Sequence, residues 1–290
     1  MNLVVAKELP RLAHLDVFSY KQKADQWATE FKRDLREAEK VFHRTPHDWK
    51  NDLHFFRLGH LCYFVDVVLG IRYREDQKDL QGVIYTDPND LFLTGVMDTR
   101  RGTCANLTAL YVALAWRMRW PVSLACVDYH IICRYDDGKV IHNIEASNFG
   151  AGGFKSPADD FYMQKYRLPT KAVRCGSDLR AVTPREMLGM FVGFRGRHLE
   201  NVGMTSLAEP DYLLARHLFP RNRQLHYAQG MVSVQTGMDL FEEGEVGHPK
   251  EAAAWVRDAF GPGGRTNQQE NDNGIGGETE WSYNLAGKVE

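Results

Sequence analysis

The chain of 290 residues contains no CxxC pair, and its five cysteines (Cys62, Cys104, Cys126, Cys133 and Cys175) are scattered and odd in number. With "MNLVVAKELP" broken by Lys7 and Glu8, it also lacks the apolar core of a signal peptide. A disulfide framework is therefore not expected, and the reading is a reduced, cytoplasmic protein. Neither sign of charge dominates: 36 Lys and Arg stand against 38 Asp and Glu, a net charge of −2. No global field exists to grip DNA or RNA, so no nucleic-acid partner is predicted. The most apolar stretch, "LCYFVDVVLGI", is too short to span a bilayer and holds Asp66, so it reads as a buried helix. No P-loop, GxGxxG element or Asp-rich calcium loop is present, and no cofactor is predicted. What remains is 43% hydrophobic and 26% charged, the balance of a soluble globular protein.

From Tyr20 to Phe42 apolar residues recur at Ala24, Trp27, Ala28, Phe31, Leu35, Ala38, Val41 and Phe42, a helical stripe that the "TPHDW" breaker ends. His43 and His47 flank Pro46 beside Trp49 and mark the helix boundary. A second, more apolar helix is predicted from Asp52 to Leu69, stopping at Gly70. "YREDQKDLQGVIYTDPND" is polar and turn-rich, a loop with room for one short strand. After Cys104, Leu107, Leu110, Tyr111, Leu114, Ala115 and Met118 predict a helix that buries one face and ends at Trp120-Pro121. "VSLACVDYHIICRYDD" and "KVIHNIEAS" are β-rich and flank Asp137-Gly138, a strong hairpin signal. "NFGAGGF" then reads as a glycine-rich exit loop. From Thr183 the pattern is helical again, through "PREMLGMFVGFRGRHLENVG", "PDYLLARHLFPRNRQLHYAQGMVSVQTGMDLF" and "PKEAAAWVRDAF", with no repeat of fixed period. Within it "FVGFRGRHLE" is basic and aromatic, and reads as a solvated helix face. After Phe260 the chain has too little apolar content to build a core and is predicted to be a disordered tail.

The stretch "RRGTCANL", residues 100–107, carries the chemistry. A cysteine in the first turn of a helix meets unpaired backbone N–H groups and the positive end of the macrodipole, and both favour thiolate. Arg100 and Arg101 add to this if they point toward it. The bland alternative is a small buried hydrophobe, the commonest role of a free cysteine. If Asp137-Gly138 is a two-residue turn, Asp136 faces Lys139 and His130 faces Glu145, close enough for imidazole and carboxylate to meet. Asn143, the other candidate orienting group, then faces Ile132. A carboxylate opposite a histidine fixes its tautomer and supports the imidazolium, which can hold a thiolate as an ion pair. Cys126, His130 and Cys133 invite a zinc reading, but a single alternating strand puts Cys133 on the face opposite the other two, so no metal is predicted. Cys62 and Cys175 have no evident partner and read as core or surface thiols.

Cysteine at a helix start, histidine on a following strand and an acid on the next, in that order, resemble the transglutaminase-like superfamily of papain-related folds. The stretch from "DPNDLFLTG" through "RRGTCANL", "VDYHIICRYDD" and "NIEASNFGAGGF" is more specifically similar to a bacterial branch related to SirB-type proteins. The resemblance covers about residues 50–170 and departs in two places, with Glu145 where aspartate is usual and Ile132 where an aromatic residue is common. It implies an α+β fold: a transglutaminase-like core with a nucleophile helix packed on an antiparallel sheet, a helical N-terminal lead and a helical C-terminal extension. The predicted division is 1–50, 51–180, 181–260 and a tail, 261–290. The resemblance assigns the parts of nucleophile, general base and orienting acid to Cys104, His130 and Glu145. It implies a cysteine-dependent acyl-transfer enzyme acting on a peptide or protein substrate, by hydrolysis in preference to cross-linking. Some relatives of this kind lack the cysteine, so a catalytically inactive binding or regulatory protein is the rival expectation.

Overall fold

Helix α1 (Asn2–Lys7) and helix α2 (Val17–Arg44) open the chain in the computed structural model, which describes residues 1–74, 76, 85–146 and 154–242. Most of "NFGAGGF", the segment "PKEAAAWVRDAF" and the predicted tail lie outside the described residues. Asp16 caps α2 by accepting from the backbone of Phe18 and Ser19. The helix buries Ala24, Trp27, Ala28, Phe31, Leu35 and Phe42. Val41, predicted in the same stripe, is exposed; Phe42 takes the core position and the next step of the helix turns Val41 outward. A short 3-10 turn, Pro46–Trp49, follows where the breaker was read.

Helix α3 (Leu53–Tyr63) begins at the Asp52 cap and runs on as a π-helical turn, Phe64–Val68, to Gly70 at φ 65°. The second carboxylate oxygen of Asp52 lies 2.9 Å from His142 Nε2, tying the start of α3 to the sheet. Strand β1 (Arg72–Tyr73) stands at the entrance of the polar loop, whose residues 75 and 77–84, with any short strand predicted there, lie outside the described residues. It pairs in parallel with β2 (Arg101–Gly102), and helix α4 (Leu93–Thr99) stands between them. The sequence reading had neither β2 nor α4, because a two-residue strand carries no period and α4 is too short to show one. Gly102 is required by space, since a Cβ there would sit 2.9 Å from Leu107 Cβ.

Helix α5 (Cys104–Arg117) is the centre of the molecule, packed against α2, α4 and the sheet. One buried face was expected; instead Cys104 to Val112, Leu114 and Ala115 are all buried. Its one charged residue, Arg117, lies in the last turn and pairs with Asp25 of α2. The sheet is antiparallel in the order β3 (Val122–Val127), β4 (His130–Asp136), β5 (Ile141–Ile144). The run read as one strand before Asp137 is thus two strands, joined by a two-residue turn at Asp128 (φ 52°) and Tyr129.

The β4–β5 register also differs from the expected one. Asp136 pairs with Ile141, not Lys139, so the connection is the four residues from Asp137 to Val140. Asp137 Oδ1 accepts from the backbone of Lys139 (2.9 Å) and Val140 (2.8 Å), which closes the longer loop. Asn143 accordingly faces Arg134 rather than Ile132. The slip is two residues, so every side chain keeps its face.

One sheet face packs Val122, Leu124, Cys126, Cys133, Tyr135 and Ile144 into the main core with α5. The other packs Ala125, Val127 and Ile132 against Tyr162 and Leu168, in and just beyond helix α6 (Asp159–Lys165) and followed by helix α7 (Thr170–Arg174). Helices α8 (Pro184–Asn201), α9 (Thr205–Leu218) and α10 (Arg223–Glu242) complete the described chain. α9 starts five residues before Pro210, where the helical pattern had been taken to begin. The "FVGFRGRHLE" stretch of α8 is not a solvated face: Phe191, Val192, His198 and Leu199 are buried, because α1 and α9 both pack on this helix. The main core runs without a break from Val5 to Val232.

Two measurements check this packing. Leu114→Ala removes a fully buried side chain from α5 and is expected to cost about 2–5 kcal/mol in urea unfolding; a cost below about 0.5 kcal/mol, the surface level, contradicts the burial. The Asp52 carboxyl is pushed up by burial but held below its ordinary value overall by the Phe55 and His54 N–H groups and His142. Its folded value is depressed, so its contribution is present above about pH 4 and is lost as pH falls through the folded value. Asp52→Ala is expected to lower stability by about 0.5–2 kcal/mol at pH 7 and to flatten that acid loss.

Candidate functional site

The first residue of α5 is Cys104, and its place is fixed by a capping box. Thr103 Oγ1 accepts from Ala105 N (3.1 Å), and the Thr103 N–H donates to Asn106 Oδ1 (2.7 Å). Both caps are anchored outward, Thr103 Oγ1 to the Asp90 carbonyl (2.6 Å) and Asn106 Nδ2 to the Asn89 carbonyl (2.8 Å). The arginines upstream do not face the thiol. Arg100, itself at φ 60°, lies 4.8 Å over the Trp27 ring and donates to the Leu69 carbonyl (3.1 Å). Arg101 is exposed and lines a polar cavity of about 490 Å³ together with Tyr73, Arg74, Asp76 and Asp90. Cys104 is not on the wall of that cavity.

The structure brings Cys104, His130 and Glu145 together, by a route other than the expected one. His130 starts β4, directly after the turn at Asp128 and Tyr129. Glu145 follows the last residue of β5, whose register ends at the Cys133–Ile144 pair. With the two-residue slip, Glu145 is diagonal to His130 on the same face instead of directly opposite. The carboxylate still reaches: both oxygens lie 2.9 Å from His130 Nε2. Nε2 being engaged there, Nδ1 is the ring nitrogen left for the thiol. Where β5 ends, β4 has an open side, and the Cys104 sulfur lies in hydrogen-bonding reach of the Ile131 backbone N–H as well as of the His130 ring. Tyr166 stacks on the imidazole, with centroids 5.7 Å apart and planes 13° apart.

Little water reaches this cluster: Cys104 is 8% exposed, and the side chains of His130 and Glu145 are 14% and 7% exposed. Burial alone pushes the Cys104 thiol up. The hydrogen bond and charge of His130, with the Ile131 N–H, outweigh that and hold it below the ordinary thiol value. His130 is pulled down by burial, yet bonding and charge from Cys104 and Glu145 raise it to about 10. The other buried thiols go the opposite way, since burial lifts Cys62 and Cys133 well up and Cys126 to about 12. A thiolate–imidazolium pair is the state this arrangement favours.

Tyrosines that the sequence reading did not single out complete the surroundings. The parallel β1–β2 pair sets Tyr73 opposite Gly102, two residues before the thiol, and its hydroxyl is in reach of the Cys104 backbone N–H. The Tyr85 hydroxyl is in reach of the Cys104 sulfur, and the Tyr85 carbonyl lies 3.1 Å from His198 Nδ1 of α8. Both phenols are raised, first by burial and then by charge on Cys104. No spacing rule could have found them, because the contacts span 31 and 19 positions of sequence.

Asn143, weighed as an orienting group, is not at the imidazole. It joins Arg134 (2.9 Å) and Asp159 (2.9 Å), while Arg134 makes a paired contact to Asp159 at 2.7 and 3.0 Å. This network fixes β5 to the start of α6 just before Glu145. The zinc argument needs a correction too. The turn at Asp128 and Tyr129 puts Cys126 and Cys133 on one sheet face and His130 on the other. Among the described residues, no group of three or more His, Cys, Asp and Glu side chains is placed to hold a metal ion. Nor is any described helix long and apolar enough to cross a membrane.

No curated protein and no solved structure matches the chain with significance. A family model described as the transglutaminase-like superfamily does match, over residues 19–192. That span runs from the first turn of α2 to the middle of α8, holds all three members of the Cys104 cluster and covers more than half of the sequence: the chain belongs to the transglutaminase-like superfamily.

Proposed function

We propose that the protein is a cysteine-dependent acyl-transfer enzyme that attacks an amide or peptide carbonyl, with Cys104 as nucleophile, His130 as proton carrier and Glu145 as the group that orients and charges the imidazole. The observation that carries this reading is the lowered Cys104 thiol beside a raised His130 whose Nε2 is held by both Glu145 oxygens. The thiolate attacks the carbonyl carbon, the C–N bond breaks as the imidazolium gives its proton to the leaving nitrogen, and an acyl thioester remains. Neutral His130 then takes a proton from water while the water oxygen attacks the thioester. The acid leaves and the thiolate–imidazolium pair returns. Hydrolysis is preferred to cross-linking because water needs no site of its own. The substrate class is a peptide or protein, the class that offers the amide carbonyl this chemistry attacks.

Charge that leaves the sulfur during attack moves to the carbonyl oxygen, and donors must wait for it there. The Cys104 N–H is one donor, and the incoming oxygen displaces the Tyr73 hydroxyl from it. Tyr85, whose hydroxyl lies on the sulfur, supplies the second.

One observation favours a second reading, a catalytically inactive binding protein. Tyr73 and Tyr85 lie on both reactive groups of a cysteine that is only 8% exposed. If they never move, the thiol is packed rather than poised.

Labelling separates the two readings. Iodoacetamide at about pH 6 is expected to modify Cys104 ahead of the other four cysteines, as read by peptide mass spectrometry. His130→Ala should slow this by about tenfold or more, since losing the ion pair returns the thiol toward about 8.5. Asn143→Ala should lower the melting temperature and leave the labelling rate nearly unchanged. Equal labelling of all five cysteines, or no effect of His130→Ala, defeats the enzyme reading.

Turnover of p-nitrophenyl acetate, an activated acyl donor, tests the chemistry. The expected result is a burst of nitrophenolate with an acetyl group on Cys104. The working state needs Cys104 ionised and His130 protonated, so the rate should rise on an acid limb set by the lowered thiol and fall on an alkaline limb near pH 10. Glu145→Gln removes the charge that raises the imidazole and should shift the alkaline limb to lower pH. Tyr85→Phe should lower kcat/KM by about 10²–10³ without slowing alkylation.

A further inference from the structure

Tyr85 belongs to no helix or strand, and among the described residues its backbone makes no bond to another backbone group. A hydroxyl kept on one sulfur atom therefore needs support from elsewhere. That support is His198, whose Nδ1 lies 3.1 Å from the Tyr85 carbonyl across 113 positions of sequence. A carbonyl oxygen only accepts, so Nδ1 carries the proton and donates, which fixes the ring tautomer.

His198 is buried, in the stretch of α8 that α9 clamps. Three residues before it, Arg195 makes a paired contact to Asp211 of α9 at 2.7 and 2.6 Å. Two residues after it, Glu200 Oε2 accepts from the Tyr212 hydroxyl (2.6 Å), also of α9. Between them Gly196 meets α9 so closely that a Cβ there would sit 3.2 Å from Asp211 Cβ. The α8 backbone at His198 is thus held at three points, and the imidazole stands on a fixed support.

A buried histidine that donates to a loop carbonyl is ordinary packing when the loop residue does nothing else. Here the loop residue carries the hydroxyl that lies in reach of the Cys104 sulfur. His198 also lies beyond residue 192, where the family match ends, whereas Tyr85 lies within it. The C-terminal helices therefore reach the thiol through one imidazole and one phenol.

On the acyl-transfer reading above, we propose that His198 is a positioning residue: by holding the Tyr85 carbonyl it aims the Tyr85 hydroxyl at Cys104, and it makes the second oxyanion donor depend on the C-terminal helices.

The test uses full-length variants and two readouts. His198→Asn puts an amide N–H where Nδ1 stood, whereas His198→Gln puts it where Nε2 stood and leaves the carbonyl without its donor. With p-nitrophenyl acetate, His198→Gln should lower kcat/KM by about tenfold, part of the Tyr85→Phe loss, and His198→Asn should recover most of it. In the Tyr85→Phe background His198→Gln should lower the rate no further, since the hydroxyl it aims is gone. The second readout, the iodoacetamide rate of Cys104 on the plateau of its pH profile, needs no turnover. Tyr85→Phe bares the sulfur and should speed this labelling, His198→Gln should speed it in part, and the double variant should match Tyr85→Phe. A general loosening of the site would slow labelling and turnover together. If the wild-type protein gives no burst, the enzyme reading falls, and the labelling cycle still decides whether His198 holds the phenol. Should His198→Gln not fold, His198→Phe keeps a buried ring without the donor and takes its place in both readouts. Equal behaviour of the Asn and Gln variants, additive losses in the double variant, or a labelling rate that no variant moves overturns the proposal.

Discussion

The amino end of α5 is the constraint on which the rest depends. Its capping box is clamped at both members, through Thr103 to Asp90 and through Asn106 to Asn89. The helix behind it is buried on nearly every side, so it can neither rotate nor slide without opening the core. Cys104 is therefore set by packing rather than by its own contacts. The sheet is aligned to it: β4 lies against α5, and β5 ends where the thiol needs the open side of β4. Placing three reactive groups to within a fraction of an ångström is a task for rigid elements, and here two come from element ends that the core fixes.

The electrostatics of the cluster follow from its dryness. Burial is the largest influence on both the thiol and the imidazole, and it opposes the charged form of each. Charge survives on the thiol through His130 and the Ile131 N–H, and on the imidazole through Cys104 and the Glu145 carboxylate. A buried pair of this kind contributes little net stability, because desolvation offsets the attraction, while loss of one member leaves a costly isolated charge. The pair is thus better understood as poised than as structural. The three buried thiols without such a partner, Cys62, Cys126 and Cys133, are lifted instead. That contrast separates Cys104 from the ordinary buried cysteine more sharply than its helix position does.

Much of this was legible in the sequence because it is local or periodic. The stripe from Leu107 to Ala115 lies on α5, and the Cys–His–Glu order marks one cluster. The register was not legible, because Asp-Gly fits a two-residue turn and a longer loop equally well, and only the Asp137 bonds to Lys139 and Val140 decide. The pairing of His130 with Glu145 survived that error because parity, not register, sets the face. The zinc argument used the same parity but missed the turn at Asp128 and Tyr129, which reverses the chain between Cys126 and Cys133. Tyr73 and Tyr85 were out of reach of pattern altogether. One is placed by a two-residue parallel strand pair and the other by His198 on a distant helix.

Those tyrosines decide what the fold can do. A nucleophile needs its sulfur free on one side and a donor waiting for the oxygen that becomes charged. Tyr85 lies on the sulfur and Tyr73 on the neighbouring N–H, so substrate and tyrosines compete for the same two atoms. Tyr73 hangs from a strand pair of two residues, the smallest ladder among the described residues, and small ladders open at low cost. Tyr85 is tied through its carbonyl to α8, so its backbone is held. A hydroxyl carried on a held backbone suits the donor proposed for the charge that moves from sulfur to oxygen. The one on the weak ladder suits a group that must give way. Under the proposed chemistry, the difference between an enzyme and an inert scaffold rests on whether both tyrosines yield, Tyr73 with its two-residue strand pair and Tyr85 by leaving the sulfur.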